Sequence, residues 1–490
     1  MSNNFRHYLT RESNFTRTEN NALTLRSSTN PVLDLFSMGG ALRSRTPEEI
    51  TALMLQAVFY DPQLAIKCLF YLRDIRGGQG ERRTFRIIWK YLAQNFPTNV
   101  EHLIDQIPIY GRWDDLFCLR DTPLEDKMLQ LLYIRMQVDI AKPEDNPSLV
   151  WKWLPSINTS SKQTRELAKW LYPKLGFSSE KEYRKKLSSF RKKLRIVERK
   201  MCAQQWTDIN YEAVPSNAAM RYANAFKTHD PEGYQSYLDQ VKNGEKTIKT
   251  ATLYPYDLIR KAISQYTPTL EVQWQHLPDY CQGKAANSIA VVDSSASMTW
   301  NDALSKAVSL ALYFAERTTG PWHNSFITFS EDAQLLTIQG TTLQEKYQYI
   351  ETLNICQNTN LQSVFDLILR TAHKYRIPQA EMIERIYIIS DMEFDRGSTA
   401  NHTNFQEIQR KYAASGYEMP TLIYWNVESR HNNVPTYVNQ EKVALVSGCS
   451  PSIFKQLMSL EWKTPEDVML ETLQQERYAC LTWRGKIRER

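Results

Sequence analysis

The sequence predicts a chain in two parts, an all-α helical array over residues 31–275 followed by a doubly wound α/β domain over residues 285–460. Three observations carry this. Apolar residues of the first half recur at three- and four-residue steps, the period of helices with one buried face. From residue 288 short apolar runs alternate with helical stretches, the pattern of a mostly parallel sheet covered on both faces. A length of 490 residues exceeds a single hydrophobic core, so two or three domains are expected.

Residues 1–30 are polar and weakly patterned, which leaves open whether they stay disordered or cross over to the α/β domain. In the helical half, Thr46-Pro47-Glu48-Glu49 supplies an N-cap, a proline at the first helical position and acidic residues in the first turn. Ile50, Leu53, Met54, Ala57 and Val58 then keep the helical period. Asp61-Pro62 opens the next helix, with Ala65, Cys68, Leu69 and Leu72 on its apolar face. After Arg76-Gly77-Gly78-Gln79-Gly80 a third buries Phe85, Ile88, Trp89 and Leu92, and Thr122-Pro123 starts another through Leu124, Met128, Leu131, Leu132 and Met136. Successive amphipathic helices with short connections suggest repeats of the HEAT kind. In the second half Ser288–Val292, Ser325–Phe329, Ala333–Ile338, Ile386–Ile389 and Pro420–Trp425 read as strands. Helices are expected through Leu304–Leu312, from Leu361 to Tyr375 and from Asn404 to Ala413. Residues 461–490 read as a helix and a basic tail carrying Arg484, Lys486, Arg488 and Arg490.

In an open sheet of this kind ligands collect at the carboxyl ends of the strands. Three polar clusters fall at or beside such positions: Asp293, Ser295 and Ser297 after the first strand, Asn358-Thr359-Asn360 before a helix, and Ser390-Asp391 after a later strand. An Asp followed by hydroxyls at alternate positions offers hard oxygen donors of the type Mg²⁺ or Mn²⁺ prefers. Nucleophilic chemistry is disfavoured. An aspartyl-phosphate enzyme would carry a second Asp where Ser295 stands, and the Gly-x-Ser-x-Gly elbow of a serine hydrolase is absent at these serines.

Asp-x-Ser-x-Ser, a later Thr at a helix start and an Asp after a later strand resemble the metal-ion-dependent adhesion site of von Willebrand factor A domains. The resemblance implies one divalent ion, with hydroxyl ligands from Ser295, Ser297 and Thr359 and with Asp293 and Asp391 acting directly or through water. A largely neutral set of this kind leaves the ion electrophilic toward a partner's carboxylate or phosphate, and implies binding without turnover. In the first half, Leu69-Phe-Tyr-Leu-Arg-Asp-Ile-Arg-Gly-Gly-Gln-Gly-Glu-Arg82 and Tyr110-Gly-Arg-Trp-Asp-Asp-Leu116 are similar to a bacterial, viral and plant family known only as a domain of unknown function. That family in turn resembles the Ro autoantigens and other TROVE-module proteins, in which a ring of helical repeats, joined to an A domain, binds small structured RNAs on its outer basic surface and admits single-stranded RNA ends into its hole. The resemblance spans about residues 30–480 and implies a non-enzymatic, RNA-binding protein.

Net charge is +6, mild for this length, but its distribution is uneven. Lys181–Lys200 holds ten Lys/Arg against two Glu, with Tyr183, Leu187, Phe190, Leu194 and Val197 on one helical stripe. The reading is a docked amphipathic helix whose Arg184, Lys185, Lys186, Arg191, Lys192, Lys193 and Arg195 meet RNA phosphates. Tyr183, Phe190, Trp151 and Trp153 are candidates to stack unpaired bases if exposed. A solvated charged face is the plain alternative for this helix. For the whole protein the alternative is a metal-dependent protein scaffold, similar to the A-domain proteins paired with AAA+ ATPases, that captures an acidic residue and never meets RNA.

Other readings recede. Gly77-Gly78-Gln79-Gly80 lacks the Gly-Lys-Ser/Thr of a phosphate loop and is expected to make a tight turn, with Arg73, Asp74, Glu81 and Arg82 in buried or interfacial ion pairs. Arg112-Trp113-Asp114-Asp115 is expected to be a structural corner. The seven cysteines form no Cys-x-x-Cys pair and are expected to be reduced core residues. No run approaches the roughly 18 apolar residues of a membrane helix, and the amino terminus is too polar for a signal peptide. The expected location is therefore the cytoplasm, or the nucleus of a eukaryotic host.

Overall fold

The computed structural model describes residue 9 and residues 13–142, 146–194, 196–283, 285, 287–329, 331–351, 358–397, 401–459 and 462–487. The first half is helical, as its apolar period requires. Pro47–Tyr60 starts from a capping box in which Thr46 and Glu49 bond each other's main chain, and Asp61 caps Pro62–Arg73 by accepting from the Leu64 N–H. Arg82–Asn95 and Glu125–Ala141 follow, and the array continues through Lys162–Lys174, Glu180–Lys193, Ser216–His229, Pro231–Lys242, Pro255–Ser264 and Pro268–Gln275.

Among the described residues six strands build one sheet: β3 (Ser288–Asp293), β4 (Ser325–Phe329), β5 (Ala333–Thr337), β6 (Arg385–Ser390), β7 (Thr421–Asn426) and β8 (Val443–Ser447), numbered after a short N-terminal pair. Their spatial order is β5-β4-β3-β6-β7-β8, parallel throughout except for β5, which runs antiparallel to β4. Strands β3, β4 and β8 are buried along their whole length, whereas β5 is a largely exposed edge. Burial of both faces explains why these strands read as continuous apolar runs. Helix Ala303–Arg317 packs on β3, β4 and β6, and Gln362–Tyr375 on β4 and β5.

The two halves share contacts. Helix Pro31–Gly39, at the start of the range expected for the array, lies against β8 and β7 as well as against the helices that follow. Gly40 and Gly448 meet there, and a Cβ on Gly40 would stand 2.8 Å from the Gly448 Cα, so no larger residue fits. The polar N-terminal segment is also part of the α/β half. Phe15–Arg17 (β1) and Leu23–Leu25 (β2) form an antiparallel hairpin, and Leu25 pairs with Val434. In the other direction, the segment after helix Pro465–Leu473 crosses to the helical half. Tyr478 is buried against Tyr110 and Tyr71, with ring centroids 5.8 and 6.2 Å away, and Arg477 pairs with Asp74.

Buried side chains form one core through both halves, and a smaller aromatic core with Phe226, Tyr234 and Tyr237 lies toward the end of the array. Arg73, Asp74 and Glu81 are buried in ion pairs with Asp115, Arg477 and Arg43, as expected of that turn. Arg82 is not; it is exposed. Cysteines 68, 281 and 449 are core residues, but Cys202 and Cys480 are exposed, contrary to the expectation, and Cys356 lies outside the described residues. No helix among the described residues is long and apolar enough to cross a membrane.

Candidate metal centre

The three polar clusters meet at the carboxyl edge of the sheet. Register sets this, because Val292 of β3 pairs with Ile389 of β6, so both chains leave the sheet together at Asp293 and at Ser390-Asp391. Each carboxylate then shapes its own turn. Asp293 Oδ1 accepts from the Ser295 N–H (2.9 Å), and Asp391 Oδ1 from the Glu393 N–H (3.1 Å). The Ser390 hydroxyl donates to Asp293 Oδ2 at 2.6 Å and joins the two strand ends. Thr359, just before helix Gln362–Tyr375, is fixed by a reciprocal pair, its N–H to Asp395 Oδ2 (2.7 Å) and the Asp395 N–H to its carbonyl (2.9 Å).

Asp293, Ser295, Thr359 and Asp391 are buried, and Ser297 is half-buried. Burial, and then the nearby Asp391 charge, push the Asp293 carboxyl up to about 7. Burial also raises Asp391, against the pull of Arg430. Two buried carboxyls side by side are a costly arrangement that a cation relieves. The donor set is all oxygen, and Ser295 Oγ and Ser297 Oγ lie 3.0 Å apart. Adjacent ligands of an octahedral Mg²⁺, bonded at about 2.0–2.1 Å, stand about 2.9 Å apart, so the residues present fit such an ion.

Groups that the sequence did not single out surround the cluster. Arg430 Nη2 donates to Asp391 Oδ2 (2.8 Å), while its Nη1 pairs with Glu19 (2.7 Å). Glu19 and Asn20 form the tip of the β1–β2 hairpin. The Asn20 amide donates to Thr359 Oγ1 (3.2 Å) and to the Glu393 carbonyl (2.6 Å), and the Glu19 N–H donates to Glu393 Oε2 (2.7 Å). Glu19, Glu393 and His431 also approach one another closely. Glu393 is already engaged there by the Glu19 N–H, Asn433 and His431, so this trio reads as a hydrogen-bonded strut.

The basic helix forms as Glu180–Lys193, capped by Ser179. It is shorter than the expected Lys181–Lys200, since Leu194 is its half-buried C-cap and Val197 opens a separate helix, Val197–Cys202. Tyr183, Leu187 and Phe190 are buried as expected, and this overturns the stacking role of its aromatics. Phe190 lies flat on Trp151 at 4.0 Å between centroids, and the Tyr183 hydroxyl donates to the Pro155 carbonyl, so Trp151, Tyr183 and Phe190 have no face for a base. Arg191 is likewise structural, donating to the carbonyls of Trp151 and Leu154 and to the Ser156 hydroxyl. Arg184, Lys185, Lys192 and Lys193 are exposed, Lys186 is half-buried over the Phe190 ring, and Arg195 lies outside the described residues. A second basic feature is a cleft of about 560 Å³ inside the array, whose wall includes Arg82, Arg112, Lys152, Trp153 and Arg221, with Glu198 and Asp257 also on it. Arg112 lies 4.1 Å over the Trp153 ring and pairs with Asp114. Partial desolvation on the cleft wall, with Arg86 and Arg112 close by, lowers the Arg82 pKa against the pull of Asp114 and Asp115, and no carboxylate among the described residues lies in salt-bridge contact with Arg82 or Arg221.

The family model for a domain of unknown function, DUF2828, matches residues 18–119 and 134–301, more than half of the chain and including the Asp293–Ser297 loop. The chain belongs to that family. A second domain of unknown function, DUF7788, matches residues 287–483. This DUF2828 protein is similar to the uncharacterized protein L728 of Acanthamoeba polyphaga mimivirus, 28% identical over 505 residues that cover 94% of this chain and 88% of that protein. It also matches the crystal structure of the Deinococcus radiodurans Ro (RSR) protein at 13% identity and a TM-score of 0.44, over 88% of this chain and 99% of that one.

The residues that sequence reasoning missed left little signal. Arg430, Glu19 and Asn20 are unremarkable charged or polar residues in loops; Arg430 reaches Asp391 from 39 positions away and Asn20 reaches Thr359 from 339. Arg82 and Arg112 stood inside the two motifs but read only as turn and corner residues.

Proposed function

We propose that this DUF2828 protein is a non-enzymatic RNA-binding protein of the Ro kind. Its helical half, read as HEAT-like, holds single-stranded RNA, and its α/β half, read as a von Willebrand A domain, binds one Mg²⁺ or Mn²⁺. The observation that carries the RNA reading is the cleft walled by Arg82, Arg112, Lys152 and Arg221 with Trp153 among them. Arg82 and Arg221, which pair with no carboxylate among the described residues, supply phosphate contacts, Arg112 adds its charge while paired with Asp114, and the Trp153 ring beneath Arg112 is the candidate stacking surface of no base preference. This moves the main RNA surface from helix Glu180–Lys193 into the cleft and leaves Arg184, Lys185, Lys192 and Lys193 as an outer basic face. In the α/β half, Ser295, Ser297 and Thr359 would hold the ion, with Asp293 and Asp391 behind them. When bound, the ion supplies an electrophilic position for an acidic group of a partner.

The test is binding of labelled oligouridine to the full-length protein across a salt series. Arg82→Glu with Arg221→Glu is expected to lower affinity at least about tenfold and to flatten the slope of log K against log salt by about 1.4, two single-strand phosphate contacts. Lys192→Glu with Lys193→Glu is expected to cost less. Equal affinity for all three proteins overturns the RNA reading. The second reading, favoured by the oxygen cluster, is then the metal-dependent scaffold with an acidic protein partner, of the kind that A-domain proteins form with AAA+ ATPases. A stoichiometric protein that co-purifies with the wild type and is lost on Asp293→Ala supports it.

A further inference from the structure

We infer that the β1–β2 hairpin is a built-in cap on the cation site, whose tip stands where a partner's carboxylate would arrive and must be displaced by it; this rests on the metal-centre reading above. The tip is tied to both sides of the cluster through consecutive residues. Asn20 bonds the Thr359 hydroxyl, one of the oxygens offered to the ion, at 3.2 Å. Glu19 reaches Asp391 through the Arg430 guanidinium, which bridges the two carboxylates at 2.7 and 2.8 Å. Loops after β3, before helix Gln362–Tyr375 and after β6 contribute the candidate ligands, and the hairpin tip contacts two of them, at Thr359 and at Glu393.

The tip and the stem of the hairpin are held differently. In the stem, Leu25 and Val434 exchange main-chain bonds at 3.2 and 2.8 Å, Thr24 donates to the Val434 carbonyl, and Ala22 and Leu25 are buried. At the tip the Glu19 side chain is half exposed and pairs with Arg430, while the Glu19 main-chain N–H donates to Glu393. A polar contact open to water exchanges more readily than a buried pairing. The exchange is like for like. An incoming carboxylate offers Arg430 the same partner that Glu19 provides and offers the open face an oxygen in place of the Asn20 amide. The cap therefore selects for acidic partners, since a neutral group gives Arg430 nothing in return for Glu19.

The experiment uses the full-length protein with Mn²⁺ alone as the first probe, followed by water-proton relaxation, and then glutarate titrated onto the Mn²⁺-loaded form. Wild type and Glu19→Gln/Asn20→Ala are expected to bind Mn²⁺ alike, and Asp293→Asn to lose it. Glutarate is expected to bind the loaded double variant on the order of tenfold tighter than the loaded wild type, the factor that one or two competing hydrogen bonds supply. Equal glutarate affinity overturns the cap and leaves the metal centre standing. Absence of Mn²⁺ binding, or binding unchanged by Asp293→Asn, overturns the metal centre and the cap with it. A measurement that needs no variant decides the same point: hydrogen exchange of residues 15–25 in the loaded wild type is expected to quicken when glutarate is added, and unchanged exchange overturns the cap.

Discussion

Lys306→Met tests the strut behind the candidate metal centre. The Lys306 ammonium pairs with Glu428 at 2.8 Å, and the two side chains are only 2% and 1% exposed. The other Glu428 oxygen accepts from Asn301 at 3.3 Å, and two residues further along Arg430 turns toward Asp391. Removing the lysine leaves a buried carboxylate with no cation, which costs about 3–5 kcal/mol. For a cooperative unit of about 200 residues each kcal/mol moves the melting temperature by about 2–4 °C, so a fall on the order of 10 °C is expected. Lys306→Met/Glu428→Leu removes both charges at similar volume. Because Asn301 is exposed and can turn to water, the double variant is expected to recover most of the loss. Near-UV circular dichroism on heating reads the transition, and limited proteolysis identifies the half that melts. A fall below about 2 °C for the single variant, or a double variant no more stable than the single, would refute the reasoning.

Two further outcomes follow from buried groups away from the site. Tyr478→Ala empties the pocket between Tyr71 and Tyr110 and removes a hydroxyl that donates to Asp74 at 3.1 Å; a loss of about 3–5 kcal/mol is expected, with new protease cleavage near residues 476–484. Burial, opposed in part by bonds from Ser27 and Ser28, raises the Asp34 carboxyl above its ordinary 3.8. The folded protein thus holds that proton more tightly than the unfolded chain. The contribution is fully present below about pH 3.8 and is lost as pH rises through the raised value. Asp34→Asn cannot ionise, so urea midpoints of variant and wild type are expected to diverge in the variant's favour toward alkaline pH.

What the sequence made legible was local. Asp293, Ser295 and Ser297 announce themselves because one strand end and the turn it dictates contain all three, and Thr359 and Asp391 stand at a helix start and a strand end of the same domain. Arg430, Glu19 and Asn20 were illegible because their place depends on how distant loops fall together, which no period records. Helix Pro31–Gly39 packs both on the array helices and on β8 and β7, and its burial from Val32 to Gly39, Asp34 and Ser37 included, comes from contacts on two sides that no single period records. The basic helix holds an inconsistency. The stripe that places Tyr183 and Phe190 at its interface also excludes them from stacking bases, and only the charges off that stripe remain available.

The crossing of the two ends bears directly on the cap. The stem that leads from the hairpin to helix Pro31–Gly39 is fastened at successive points: Ser27 Oγ and the Ser28 N–H donate to Asp34, the Val438 N–H donates to the Ser28 carbonyl, and Asn30 donates to Glu466 while capping the helix. Helix Pro31–Gly39 is itself clamped between β8 and the helices that follow it. Lifting the whole strap would break these bonds and expose part of the common core. Lifting the tip breaks the Glu19 and Asn20 contacts, whose loss an arriving carboxylate offsets at Arg430. The stem thus fixes where the tip returns, and the exposed tip is the part of the segment able to exchange with a ligand.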